Sequence, residues 1–458
     1  MPTLDLPLTV DRSAAEPLSV QLTGQLRAAM RDGRLAAGER LPSSRSLAGV
    51  LGVSRTVVTE AYEQLYAEGW LEGRHGSGTY VTEITAARPS GAEPVSAFQA
   101  PEIPERHGML DLRPGVAWIG ALDTPAWRRA WRLAATAAPA ARPDPHGLPG
   151  LRALLADHVR RSRGVACPPE RLLVTRGATN GLDLLAATIL RPGDRVGVED
   201  PGYRKAGSVL TARGAEPVPC PVDEHGLIVD GLPDDLRLVY TTPSHQYPLG
   251  GVLPVPRRQA LLAWARRTGA LIAEDDYDGE FRYDVAPLPA LYGLDPDVVV
   301  YLGTTAKILT SDVGVGWLVA RPDLVEAIAH RRADLNDRTA LVPQEALCRL
   351  LERGDLQRYV RRMRAEYARR RAVVAEALHG LPLRGDTAGL HLVVELREGE
   401  TERIVKEAAE RGVLLDTLER HHTGTPHVFG LVIGYGSAAN LTELKTACTL
   451  IRDLVSAS

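Results

Sequence analysis

From residue 109 onward, short apolar runs alternate with segments of helical period, and this alternation restricts the fold more than any other feature of the 458-residue chain. RLLVT (171–175), DRVGVED (194–200), LRLVYTT (236–242), LIAED (271–275) and VVVYLG (298–303) each hold a nearly continuous apolar centre. Strands of that kind are covered on both faces. Helical patterns such as 256–267 lie between them. Strand and helix in turn predict a large α/β domain with a mostly parallel sheet.

In such sheets ligands collect at the carboxyl ends of the strands. The polar residues of this chain stand there. RGATN (176–180) follows one run and opens a helix, which offers the N–H groups of Gly177, Ala178 and Thr179 to an anion. PGYRK (201–205), SHQYP (244–248) and EDDYD (274–278) follow others, and Lys307 follows VVVYLG after a Gly-Thr-Thr turn. Taken singly, each has a plain reading: an exposed loop lysine, a solvated turn, a core tyrosine. Together they supply what pyridoxal phosphate requires, namely a Schiff-base lysine, a carboxylate for the pyridine nitrogen and a phosphate cradle. A phenol near the ring oxygen and a flat side chain for stacking complete the set. Lys307, Asp275, the 177–179 loop, Tyr277 and Tyr203 fill those roles in order.

The first 82 residues have a different pattern. Leu22, Leu26 and Met30 recur at helical spacing before Gly33. Ser43 is placed to cap a second helix carrying Leu47 and Leu51 and closed by Gly52. Ser54 is placed to cap a third, with Val58, Tyr62 and Leu65 inward and Gly69 at its end. The GVS turn at 52–54 is short enough for a helix-turn-helix, and WLEGRHGSGTYV (70–81) predicts a hairpin wing with its tip at 76–78. Arg55 and Thr56 then open the recognition helix, where base and phosphate contacts are made. Arg45, Ser54, Arg74 and Gly76 join them as expected DNA contacts, and Arg40 flanks the same face. Residues 1–82 hold eight Arg, no Lys and nine Asp or Glu, so affinity has to come from where the arginines lie. The plainer reading is a three-helix domain for protein contacts. Residues 83–108 carry four prolines and no regular period, which predicts a semi-extended tether between the two parts.

LPSSRSLAGVLGVSRTVVTEAYEQLYAEGWLEGRHGSGTYV resembles the DNA-binding domain of the GntR family of bacterial regulators. TPSHQYPLGGVLPVPRRQALLAWA and IAEDDYDGEFRYD resemble the aminotransferase-like domain of the MocR/GabR family, so the likeness covers essentially the whole chain. It implies a winged helix-turn-helix at 1–82, a linker at 83–108 and a fold-type I domain at 109–458 that binds effector and forms a homodimer. It also implies that Lys307 carries the Schiff base, Asp275 partners the pyridine nitrogen, Tyr277 meets the ring oxygen and Tyr203 stacks. By the same likeness Gln246 and Tyr247 line the cofactor edge.

Three positions depart from the family pattern. Ala306 and Gly314 stand where a serine and an arginine usually hold the phosphate, and Ser437, in LVIGYGSAANL, stands where an arginine usually holds a substrate carboxylate. Lys205 offers one positive charge, but as a point rather than a planar fork. The expected function is therefore a regulator of double-stranded promoter DNA whose second domain binds pyridoxal phosphate, a small amine or an amino-acid-like effector near Lys205 and Ser437. Two alternatives stay open: an aminotransferase with a secondary N-terminal domain, and a regulator that has lost the cofactor and senses another metabolite. A net charge of −3 excludes a globally basic nucleic-acid coat. Four scattered cysteines suggest neither a disulfide framework nor a metal site. With no basic leader and no run of membrane-spanning length, a cytoplasmic protein without a membrane partner is expected.

Overall fold

The computed structural model describes residues 7–74, 78–83, 108–284 and 288–457, and the chain divides into two compact units, Met1–Pro104 and Glu105–Ser458. The expected linker, apart from Glu83 and Gly108, and the wing-tip residue Gly76 lie outside the described residues.

In the first unit, α1 (Leu18–Arg31) precedes the two-residue strand β1 (Arg40–Leu41), α2 (Ser44–Leu51) and α3 (Arg55–Ala67). The helix boundaries follow local chemistry. Ser43 Oγ accepts from the Ser46 N–H at 3.2 Å, and Ser54 Oγ accepts from the Val57 N–H at 3.4 Å. Gly52 ends α2 in the left-handed conformation at φ +62°, which a side chain would disfavour. The hairpin β2 (Leu71–Arg74) and β3 (Gly78–Val81) follows, and β1 joins the far edge of β3. Leu22, Leu26, Val58, Tyr62 and Leu65 meet in a single core with Leu71 and Val81 from the wing.

The second unit opens with β4 (Leu110–Asp111), α4 (Pro125–Ala134) and α5 (Pro149–Arg163). A strand–helix series follows: β5 (Leu172–Thr175), α6 (Ala178–Ile189), β6 (Arg195–Asp200), α7 (Arg204–Ala212), β7 (Glu216–Asp223), β8 (Gly226–Leu227), β9 (Leu238–Thr241), α8 (Val255–Thr268), β10 (Leu271–Asp276), β11 (Val299–Thr304) and β12 (Gly316–Val319). These strands form one eight-stranded sheet in the order β5-β12-β11-β10-β9-β6-β7-β8. β11, β10, β9, β6 and β7 are mutually parallel, whereas β12 runs antiparallel to both β11 and β5. Buried side chains cover both faces, Leu182, Leu210 and Ile328 on one and Leu155, Leu261 and Trp317 on the other. The helices α9 (Pro322–Asp334), α10 (Leu341–Glu352) and α11 (Asp355–Ala377) lead to a smaller sheet, β13 (Leu383–Arg384), β14 (His391–Glu395), β16 (Asp416–Thr417) and β17 (Gly430–Gly434). Within that part, β15 (Val413–Leu414) pairs with β4 rather than with the small sheet, and α12 (Thr401–Glu410) and α13 (Leu441–Ser456) pack beside it. Among the described residues no helix is long and apolar enough to cross a membrane, and no cluster of side chains has metal-ligand character.

Candidate functional site

Because β5, β6, β9, β10 and β11 point the same way, their carboxyl ends share one edge of the sheet, and a cavity of about 540 Å³ opens there. Lys307, Asp275, Tyr277, Tyr203, Tyr247, Lys205 and the 177–179 loop all line it. Gln246 and Ser437 do not. The Gln246 side chain is fully buried and donates to the carbonyls of Pro201 at 2.9 Å and Tyr247 at 2.6 Å, so it braces the loop from behind. The Ser437 hydroxyl donates to the Asp111 carbonyl instead of facing the cavity.

Asp275 lies near the end of β10 with its side chain buried. Its Oδ2 accepts from the Tyr240 hydroxyl at 2.5 Å, while Oδ1 is buried without a partner. Burial pushes the carboxyl up to about 7, opposed by the Tyr240 hydrogen bond and the Lys307 charge and aided by Asp276. A buried acid with one empty oxygen on a cavity wall is suited to a cationic N–H partner. Lys307 follows β11 and donates to the Gly115 carbonyl at 2.6 Å. Burial pulls its pKa down, Asp275 and Asp278 hold it up, and Lys205 adds to the depression.

The aromatic walls are interlocked. Tyr203 stacks on Tyr240 with ring centres 6.5 Å apart and meets Tyr247 edge-on at 5.9 Å. Tyr277 stacks on His245, with its hydroxyl 3.0 Å from Nδ1; that nitrogen also lies 2.8 Å from Asp278 Oδ2. His391, whose Nε2 meets the Pro248 carbonyl at 2.8 Å, is depressed to about 3 by burial and by His245, so it is a neutral ring in the cavity wall.

At the other end, α6 begins at Gly177 (φ +109°) with no side-chain cap, leaving the first-turn N–H groups open to the cavity. The approach is tight. A Cβ on Gly316 of β12 would lie 2.6 Å from the Gly177 Cα, so glycine is required there. Sequence reasoning missed several residues that complete the wall: Tyr240, His391, Arg176, and Asp416, Arg420 and His421 from β16 and the turn after it. Tyr240 lay inside the LRLVYTT run and Arg176 opened the RGATN turn, but neither side chain was given a role.

In the first unit, Arg45, Ser54, Arg55 and Thr56 are all exposed around the start of α3. Arg55 Nε donates to Ser44 Oγ at 3.3 Å, and Arg12 donates to the Gly52 carbonyl at 2.5 Å, adding a cation that the sequence did not single out. Arg40 lies along the wing, where a Cβ on Gly78 would come within 2.8 Å of its Nε. Arg74 pairs with Gly78 across the hairpin. Glu68, at the far end of α3, is bound by Arg27 at 2.6 Å and held down to about 2, first by that bond and then by Gln64.

Residues 18–81 match the family of bacterial regulatory proteins of gntR type, and residues 120–444 match aminotransferase class I and II. Over 99% of both chains the protein is 39% identical to the HTH-type pyridoxine biosynthesis transcriptional regulator PdxR of Corynebacterium glutamicum. It is 34% identical to the probable rhizopine catabolism regulatory protein MocR of Rhizobium meliloti, over 93% of this chain and 92% of that one. An archaeal alanine:glyoxylate aminotransferase superposes with a TM-score of 0.71 at 23% identity, covering 76% of this chain and 91% of its own, a likeness of fold.

Proposed function

The chain belongs to the MocR-type transcriptional regulators, in which a GntR-family DNA-binding domain is joined to a class I and II aminotransferase domain, and from that premise we propose that pyridoxal phosphate bound at Lys307 sets its promoter occupancy. The observation that carries this reading is the unpartnered Asp275 Oδ1, buried on the same cavity wall as Lys307. That oxygen fits the protonated ring nitrogen of the cofactor, and its empty acceptor site is what such a group fills. When bound, the cofactor supplies an aldehyde that condenses with primary amines and a ring that withdraws electrons.

The chain's own residues then have separate tasks. Lys307 presents the amine, with its basicity lowered by burial. Asp275 keeps the proton on the ring nitrogen, and Tyr240 orients Asp275 from the side away from Oδ1. Tyr277 offers a hydroxyl to the ring oxygen, Tyr203 a face, and the first turn of α6 an anion cradle. Lys205 and Arg420 remain on the wall for the acid group of an amino-acid-like effector. The name of the Corynebacterium relative supports the form of this reading in which the cofactor itself is the signal and the regulated genes serve its synthesis.

The proposed assembly follows. The domains run 1–82 and 109–458 with a linker between, the protein is cytoplasmic, and two chains pair so that two readers engage one operator. The route from ligand to reader is short in sequence. Gly115, which accepts from Lys307, lies a few residues past the linker, in a segment pinned by bonds from Leu110 to Gly412 and from Leu112 to Leu414. The test is a visible absorption spectrum of the purified protein with and without added pyridoxal phosphate, followed by operator titrations in both states. A new band with a shifted operator affinity is expected. No band, or a band with unchanged affinity, overturns the proposal.

A further inference from the structure

The cavity's α6 end contains a cation, Arg176, in the turn immediately before Gly177. Its guanidinium is half exposed, and among the described residues it forms one ion pair, Nη2 to Asp337 Oδ1 at 3.2 Å, in which Oδ1 accepts no hydrogen bond. A guanidinium has five N–H donors, so that contact leaves most of them free while holding the side chain beside the α6 N-terminus. The Arg176 backbone N–H is itself fixed, donating to Asn180 Oδ1 at 2.9 Å.

Around this group the structure gathers neutral donors. The first-turn N–H groups of α6 carry no cap, and Thr179, Thr304 and Ser311 bring hydroxyls to the same wall. The Thr304 hydroxyl lies 3.7 Å from where a Cβ on Gly177 would stand. The backbone here has little freedom, because Gly316 closes on Gly177. Position 314 supplies no side chain. Such a set, fixed N–H groups with several hydroxyls and one fork, matches a group with three anionic oxygens better than a carboxylate with two.

We infer that Arg176 is the charged partner of the ligand's phosphate and sets the preference of this site for a phosphorylated aldehyde over its unphosphorylated form. The inference rests on the reading of the cavity as a pyridoxal phosphate site. Arg204, Lys205 and Arg420 also line the cavity but are carried on α7 and on the turn after β16, and Arg420 is paired with Asp416 at 3.2 Å.

The experiment compares pyridoxal phosphate with pyridoxal on the full-length protein, each titrated by absorption and expressed as a ratio of dissociation constants. Wild type should favour the phosphorylated aldehyde. Arg176→Ala should lower that ratio by roughly tenfold to a hundredfold while leaving pyridoxal affinity nearly unchanged. Arg176→Lys should recover part of the ratio, since a point charge replaces a fork. Because Arg176 is half exposed and its ion pair among the described residues is with Asp337 alone, the ligand-free alanine variant should keep wild-type melting behaviour. If wild type discriminates but Arg176→Ala keeps the ratio, the inference fails and the cofactor reading stands. A loss of both aldehydes together, or loss of the ratio in Arg204→Ala instead, also overturns it. If wild type takes up neither aldehyde, the cofactor reading itself fails.

Discussion

Asp275 is held at a cost to folding, and replacing it by asparagine should expose that cost. Its carboxyl is raised from 3.8 to about 7, chiefly by burial. Each tenfold change in proton affinity is worth about 1.4 kcal/mol, so the ionised side chain costs the ligand-free fold on the order of 4 kcal/mol. A folded pKa above the unfolded value means the favourable state, protonated in both forms, exists below 3.8. As pH rises the unfolded chain loses its proton first, stability declines, and the loss is complete once pH passes about 7. The amide introduced by Asp275→Asn does not titrate. Its oxygen can still accept from the Tyr240 hydroxyl, and its size leaves the cavity intact. Thermal melts of ligand-free wild type and Asp275→Asn should therefore separate by several degrees near pH 8, with the variant more stable, and draw together toward about pH 4. Titrating groups remote from Asp275 are common to both chains and cancel, whereas Lys307 loses the Asp275 charge that helps hold its pKa up. The same variant should bind pyridoxal phosphate weakly and with a shifted absorption band, because an amide cannot hold the ring nitrogen protonated. A variant that is less stable than wild type near pH 8, or a gap that does not change with pH, would refute the argument from burial.

Arg55→Ala and Arg74→Ala should each lose specific operator binding by about 1–3 kcal/mol in mobility-shift titrations, while Arg45→Ala should weaken all sequences alike and flatten the salt dependence. Light scattering at micromolar concentration should report about twice the 49.5 kDa chain mass; a tight-binding monomer would contradict the paired operator. Lys307→Ala should abolish covalent capture of pyridoxal phosphate, read as loss of the adduct mass after borohydride reduction. Gly314→Arg has open space around its Cβ, but φ is +58°, so about 1–2 kcal/mol of left-handed strain should lower its stability with and without ligand alike. A new phosphate contact of roughly 1.5–3 kcal/mol should raise its affinity by about tenfold to a hundredfold.

The helix-turn-helix was legible because its signals are local. Ser43, Gly52 and Ser54 act on the backbone within a few residues, and the structure shows the caps they imply. β1 was not legible, since two residues become a strand only through pairing with β3. In the large unit the parallel strands stood out as apolar runs, but β7 (EPVPCPVD) is broken by prolines that cannot donate to a ladder. The cavity was half legible. Residues that follow strands, such as Asp275 and Lys307, are placed by the parallel topology itself. Gln246 and Tyr247 are adjacent in sequence, but the turn that holds them, closed by backbone bonds between Gln246 and the 250–251 pair, leaves only Tyr247 facing the cavity. Asp416, Arg420 and His421 come from β16 and the turn after it, far along the chain, and only tertiary packing brings them in.

How far one site can switch the regulator follows from the bonds it can change. A ligand that engages the Lys307 amine removes its bond to the Gly115 carbonyl. One such bond is worth about 0.5–1.5 kcal/mol net, a factor of about ten at most. Moving a two-state equilibrium from 1:99 to 99:1 takes about 5.5 kcal/mol of differential binding. The Lys307 bond is too small by itself. If the cradle around Arg176 also changes between states, a charge-assisted contact adds about 1.5–3 kcal/mol, and one site then supplies about 2–4.5 kcal/mol. That still falls short of a full switch. Two sites in the proposed dimer, acting on one pair of readers, supply about twice that and span the whole range. The phosphate contact and the dimer thus answer the same requirement: a single lysine bond in a single chain gives only a graded response.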